Sequence, residues 1–146
     1  MKRRSIKNIT YIFIALVVIA SIAGYLLWNK PHTNILKSEA IETTSVDLYK
    51  IFITDSTKAK TNYVNKVLNV SGIVKGVSVN QEHHQIILLK TSESDASVNC
   101  TMEDSGLGIK VGDQILLKGL CVGYIPGETE MGLPGDVFLV RCYRFI

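Results

Sequence analysis

The sequence predicts an all-β domain, a small five-stranded barrel preceded by a short helical segment, carried behind one N-terminal transmembrane helix. Three observations predict it. Residues 9–28 form a run of twenty residues without a charge, the length that spans the roughly 30 Å hydrocarbon core as an α-helix. From Val67 onward, stretches rich in Val, Ile and Leu are punctuated by Gly, Asn, Asp and Pro, the pattern of strands joined by turns. The 116 residues from Pro31 to Ile146 are enough for a single core, which at this size excludes about 60 to 70% of the unfolded chain's surface from water and needs no metal or disulfide to fold.

The first element is a basic stretch, residues 1–8, with Lys2, Arg3, Arg4 and Lys7 ahead of the apolar run and only Lys30 close behind it. That asymmetry places the N-terminus in the cytoplasm and the C-terminal domain outside, and Tyr11 and Trp28 sit where interfacial aromatics belong. The alternative is a cleaved secretory signal, because Ser21-Ile22-Ala23 offers small residues at a peptidase spacing. Retention is favoured, since Tyr25-Leu26-Leu27-Trp28 carries the apolar run past the usual length of about 7 to 15 residues. No Cys lies near this segment, so a lipid-anchored N-terminal Cys is excluded. Either reading exports the domain.

The flanks also explain the charge. Five of the sixteen basic residues border the apolar run, leaving eleven beyond it against all thirteen acidic residues, so a formal +3 for the chain becomes −2 for the domain. A domain that neutralises phosphates needs a basic patch. None is evident, and nucleic acid is disfavoured as a partner.

Residues 29–43 have little periodicity and read as a juxtamembrane linker, with a reach of at most about 50 Å. The domain is expected over 44–146. Thr44-x-x-Asp47 resembles a helix-capping start, and Leu48, Tyr49, Ile51, Phe52 and Ile53 follow at helical spacing. The polar stretch 55–66 extends that helix or begins another. Five strands are expected at Val67–Val79, Gln85–Thr91, Ala96–Met102, Gln114–Tyr124 and Val137–Ile146, with Gly72 and Gly76 allowing the first to curve. Five strands with such bends suit a closed barrel.

Particular residues carry a family resemblance. Tyr63-x-x-Lys66-Val67-x-x-Val70-x-Gly72-x-Val74 is followed by Val98-x-Cys100, then by Val111-Gly112-Asp113-x-Ile115-x-Leu117-Lys118-Gly119-x-Cys121-x-Gly123, and finally by Asp136-Val137-x-Leu139-x-x-Cys142. In order and spacing these resemble the tRNA-anticodon-binding-like OB-fold family of exported, membrane-anchored bacterial proteins, over residues 44–146. The resemblance implies a five-stranded OB barrel behind a lipoprotein or membrane anchor. It implies no catalytic residues and no cofactor.

In an OB barrel the fifth strand lies between the third and fourth, so Cys142 comes within reach of Cys100 or Cys121. A Cys121–Cys142 disulfide is the expected pairing in an exported domain, with three buried, unpaired thiols as the alternative. No C-x-x-C pair supplies zinc-ligand spacing, and no metal is expected. Glu82-His83-His84 falls at the tip of the first hairpin, where neighbouring imidazoles diverge if the backbone is extended. No His is positioned for a nucleophile, and Gly106-Leu107-Gly108 precedes a strand instead of a helix, so no enzymatic activity is expected. OB folds bind with loops and outward aromatics. His83, His84, Tyr124 and Tyr143 are therefore the candidate binding surface, with Phe138 and Phe145 as further stacking candidates and the loop 125–136 as a second contact edge. Arg141 and Arg144 stand three apart, which on a regular strand puts them on opposite faces and makes no basic patch. The expected function is a non-enzymatic binding module for a protein or a cell-envelope glycan, with the membrane engaged through 9–28. Single-stranded nucleic-acid binding is the alternative.

Overall fold

A computed structural model describes residues 2–28, 34–104 and 108–145, in two units that divide between Thr33 and Asn34. The first unit is one helix, α1 (Lys2–Trp28), of 27 residues. Its described side chains from Tyr11 to Leu26 are all exposed. Among the described residues no helix is long and apolar enough to cross a membrane. Ile9, Thr10 and Leu27, near the ends of the uncharged run, have side chains outside that description.

The second unit opens with β1 (Ile41–Thr44), followed by α2 (Ser45–Thr54), α3 (Ser56–Tyr63), β2 (Val67–Val79), β3 (Gln85–Lys90), β4 (Ser97–Met102), β5 (Gln114–Ile125) and β6 (Asp136–Phe145). The five expected strands are present to within about two residues at each end. The sheet runs β1-β2-β3-β4-β6-β5, and β5 pairs back onto β2 to close a five-stranded barrel. The last strand inserts between β4 and β5, parallel to the first and antiparallel to the second.

Closure depends on β2 serving two partners. Its first half, Val67–Ile73, pairs with β5, and its second half, from Val74, pairs with β3. A bulge between Val74 and Gly76 turns the strand from one partner to the other, adding the local twist that a bulge supplies. Gly72 is required for a different reason. A Cβ there would stand 2.5 Å from Ser45 Oγ, where α2 starts.

Thr44 caps α2 as its spacing suggests, with its hydroxyl accepting from Asp47 N at 3.0 Å. Asp55 ends α2 and caps α3, accepting from Lys58 N at 3.0 Å. The polar stretch thus begins a second helix. Leu48, Tyr49 and Phe52 of α2 are fully buried against the barrel interior, each worth about 1.5 to 3 kcal/mol of hydrophobic transfer. This helix, between β1 and β2 in the chain, plugs the barrel with that buried face.

Two expectations change. The linker expected over 29–43 is in part outside the described residues, and from Asn34 onward it is folded: Asn34–Ser38 makes one hydrogen-bonded turn, Ile35 is buried, and β1 pairs in parallel with Leu68–Ser71. β1 fills the edge that β2 leaves free before it reaches β3. The expected Cys121–Cys142 disulfide is absent, and all three cysteines are free and buried. Register is the reason. Cys121 stands opposite Leu139, whereas Cys142 packs at Gly119 and engages the Cys100 thiol. The shift arises at Arg141, whose φ of 53° marks an extra residue that lets Leu139 and Cys142, three apart, both point inward.

Candidate ligand-binding face

The outer surface of β3, β4 and β6 is built from residues that alternate with the core. On β4, Val98 and Cys100 point inward, so Ser97, Asn99 and Thr101 point outward. The parallel β4–β6 pairing sets Val98 beside Val137 and Asn99 beside Phe138. Asp136, one residue earlier, therefore comes level with Ser97.

A fixed hydrogen-bonded row results. Asp136 Oδ1 accepts from Ser97 N at 2.7 Å and lies 3.1 Å from Ser97 Oγ, while Asp136 Oδ2 accepts from Asn99 Nδ2 at 3.1 Å. The Ser97 hydroxyl also lies 3.3 Å from Asn99 Oδ1, and its single hydrogen serves one acceptor at a time. After these bonds the row still offers one N–H of Asn99 and spare lone pairs on Asp136. A donor beside an acceptor complements two neighbouring hydroxyls, each of which donates and accepts. Phe138, half-buried, flanks the row.

Beneath it, Tyr49 of α2 packs edge-on to Tyr124 at 6.2 Å, and Phe52 stacks on the same ring at 6.2 Å. Burial raises the Tyr49 phenol above its usual range, with Tyr124, Glu93 and Asp136 adding to the effect. The barrel's plug thus supports the face.

The residues singled out from sequence are dispersed. His83 sits at the hairpin apex with φ 64°, in a turn held by Asn80 Oδ1, which accepts from Glu82 N at 3.0 Å and His84 N at 2.9 Å. Tyr124 belongs to the ladder row Tyr124–Val137–Val98–Leu89, well down β3 from that hairpin, and its ring supports the core. Tyr143 lies opposite Lys118 on the β2–β5–β6 side. Arg141 Nε is 3.9 Å from Glu103, and Arg144 borders a shallow hollow with Gln114 and Phe145. Cys121 is pushed up to about 12 by burial, and Cys142 is raised by its hydrogen bond to Cys100 and by burial. Such thiols stay protonated and pack as core.

Asp136 opens the last of the family-like runs, but Ser97 and Asn99 belong to none, and only the strand register brings the three together.

Lys118 is buried on the β2–β5–β6 side. Its ammonium donates to Leu36 O at 3.1 Å and Ser38 O at 2.7 Å, and stands 5.5 Å from the Phe145 ring centroid. It pins the turn 34–38 to the barrel.

A closed barrel with this strand order is an OB fold, and its outward-facing polar row is part-buried, with Ser97 covered and Asn99 and Asp136 half-buried. The chain belongs to the tRNA_anti-like family, whose family model matches residues 1–131. No curated protein matches the chain. A solved structure described as a "putative aspartyl-tRNA synthetase from Leishmania major Friedlin" is similar at 9% identity and a TM-score of 0.39, over 77% of this chain and 22% of that one. The chain spans about a fifth of that protein's length.

Proposed function

We propose that this protein is a non-catalytic binding module, held at the outer face of a cytoplasmic membrane by residues 9–28, whose β3–β4–β6 face takes a cell-envelope glycan. The single observation that carries the ligand reading is the Ser97–Asn99–Asp136 row beside Phe138. Its donor–acceptor pairing suits sugar hydroxyls, and an aromatic ring at its side suits the apolar face of a sugar. The anchor reading rests on the twenty uncharged residues and their basic N-terminal flank.

Single-stranded nucleic acid is the second reading, favoured by the family's description. Against it stand a carboxylate at the centre of the face and a domain whose eleven cations are outnumbered by thirteen acids.

Calorimetric titration of the detergent-solubilised full chain with envelope oligosaccharides tests the reading. Asn99→Ala is expected to weaken binding about tenfold, the loss of one well-made hydrogen bond in a partly buried site. Equal affinity in the variant, or binding to poly(dT) alone with a steep salt dependence, overturns it. Protease added to spheroplasts is expected to digest the domain; full protection overturns the orientation.

A further inference from the structure

Beside the polar row lies a hollow of about 290 Å³, lined by Lys75, Lys90, Thr91, Glu93 and Ser94. Its walls come from three places in the chain. Lys75 is the extra residue of the β2 bulge, Lys90 ends β3, and the remainder belong to the turn that leads into β4. The corner is rigid. Ser45 Oγ donates to Lys90 O at 2.6 Å, Lys75 Nζ donates to Ala96 O at 3.2 Å, and the Thr91 hydroxyl lies 3.0 Å from Glu93 O and 3.2 Å from Ala96 O.

The charge of this hollow is not internally balanced. Glu93 lines it, yet among the described residues the only lysine within 4.0 Å of a carboxylate is Lys58, far along the chain on α3. Lys75 is half-buried and spends one of its three N–H donors on a backbone carbonyl. Two lysines therefore line one small open hollow, Lys75 with two N–H donors to spare and Lys90 exposed, and Glu93 lines it as well. At the lower end of the size range for ligand pockets, about 300 Å³, it suits one small group and not an extended ligand. The hollow also continues into the face already described, because Lys90 pairs with Ser97 across β3 and β4.

We infer that this hollow receives the oxyanion of an acidic sugar, its carboxylate or phosphate on Lys75 and Lys90 and a neighbouring hydroxyl on Glu93, while the adjoining saccharide lies along Ser97, Asn99 and Asp136. The inference rests on the glycan reading above and narrows it to acidic glycans. A nucleic-acid backbone would also present phosphates to the two lysines. It would then meet Glu93 and Asp136 in succession, with no further cation between them.

The test is calorimetric titration of the full chain with four probes of matched length: oligogalacturonate, poly(glycerol phosphate), a neutral glucan and poly(dT). One of the two acidic polyols is expected to bind about tenfold or more tightly than the neutral glucan, and which one tells carboxylate from phosphate. The Lys75→Gln/Lys90→Gln double variant, which keeps side-chain length and polarity, is expected to remove that preference. Equal affinity for acidic and neutral probes overturns the inference, as does a double variant that keeps the preference. If Asn99→Ala weakens binding while the lysine variant does not, the anion pocket falls and the polar-row reading stands. Binding of no saccharide overturns both, and preferential binding of poly(dT) that depends on Lys75 and Lys90 assigns the hollow to nucleic acid and overturns the glycan reading with it.

Discussion

Replacing Lys118 with Met tests how the turn 34–38 is held to the barrel. Met keeps most of the apolar stem and removes the ammonium. The native amine is buried, donates at 3.1 Å to Leu36 O and at 2.7 Å to Ser38 O, and lies 5.5 Å from the Phe145 ring. Hydrogen bonds to a charged group contribute about 1.5 to 3 kcal/mol each. The low end applies here, because Leu36 is exposed and the released carbonyls regain water on opening. The cation–π contact adds about 0.5 to 1 kcal/mol. The sum is about 3.5 to 4 kcal/mol if the turn unfolds with the domain. Divided by a urea m-value of about 1 to 3 kcal/mol per molar, that is a midpoint lowered by at least about 1 M. If the turn instead opens alone, the midpoint moves less, and the amides of residues 34–44 lose their exchange protection while trypsin gains access to Lys37. Phe145→Leu, which removes only the ring, should cost about 1 kcal/mol or less. An unchanged midpoint together with unchanged exchange and cleavage at this turn refutes the reasoning.

Three further outcomes follow from the barrel interior. Native protein at pH 8 should resist thiol labelling, and unfolding without reductant should expose three reactive thiols; a single labelled thiol would restore the disulfide. Cys121 in the folded state titrates near 12 against an ordinary 9.0, so its contribution is complete below pH 9 and is lost between 9 and 12, at about 1.4 kcal/mol per pH unit for one thiol. Cys121→Ala should accordingly flatten the alkaline decline of the urea midpoint, and an identical slope would contradict the buried-thiol account. Gly72→Ala drives a methyl into Ser45 Oγ; it should destabilise by about 1 to 3 kcal/mol, the usual cost of overpacking, measured as a lowered melting temperature, and a neutral effect would mean that α2 is not seated on β2 as described.

The strands were legible because a barrel buries alternate residues and selects apolar ones there, as at Leu68, Val70 and Val74 of β2 and at Ile115, Leu117 and Cys121 of β5. The cap at Thr44 was legible because its partner lies three residues away. β1 was not. Ile41–Thr44 has no alternation of burial, and its ladder is supplied wholly by β2, distant in sequence. Tyr124 and Lys118 show what residue type alone leaves open: the Tyr124 ring also packs against Phe52, and the Lys118 ammonium is taken up by carbonyls of a turn eighty or more residues earlier in the chain. The polar row was invisible because Asp136 meets Ser97 and Asn99 only through a parallel pairing between β4 and β6.

The insertion of β6 between β4 and β5 also has a consequence for biosynthesis. Every other strand leaves the ribosome before it, so until residues 136–145 emerge β4 and β5 each present an unpaired edge and the core lies open along one side. A nascent domain in that state is exposed to edge-to-edge association. The last strand to be made is the one that seals it.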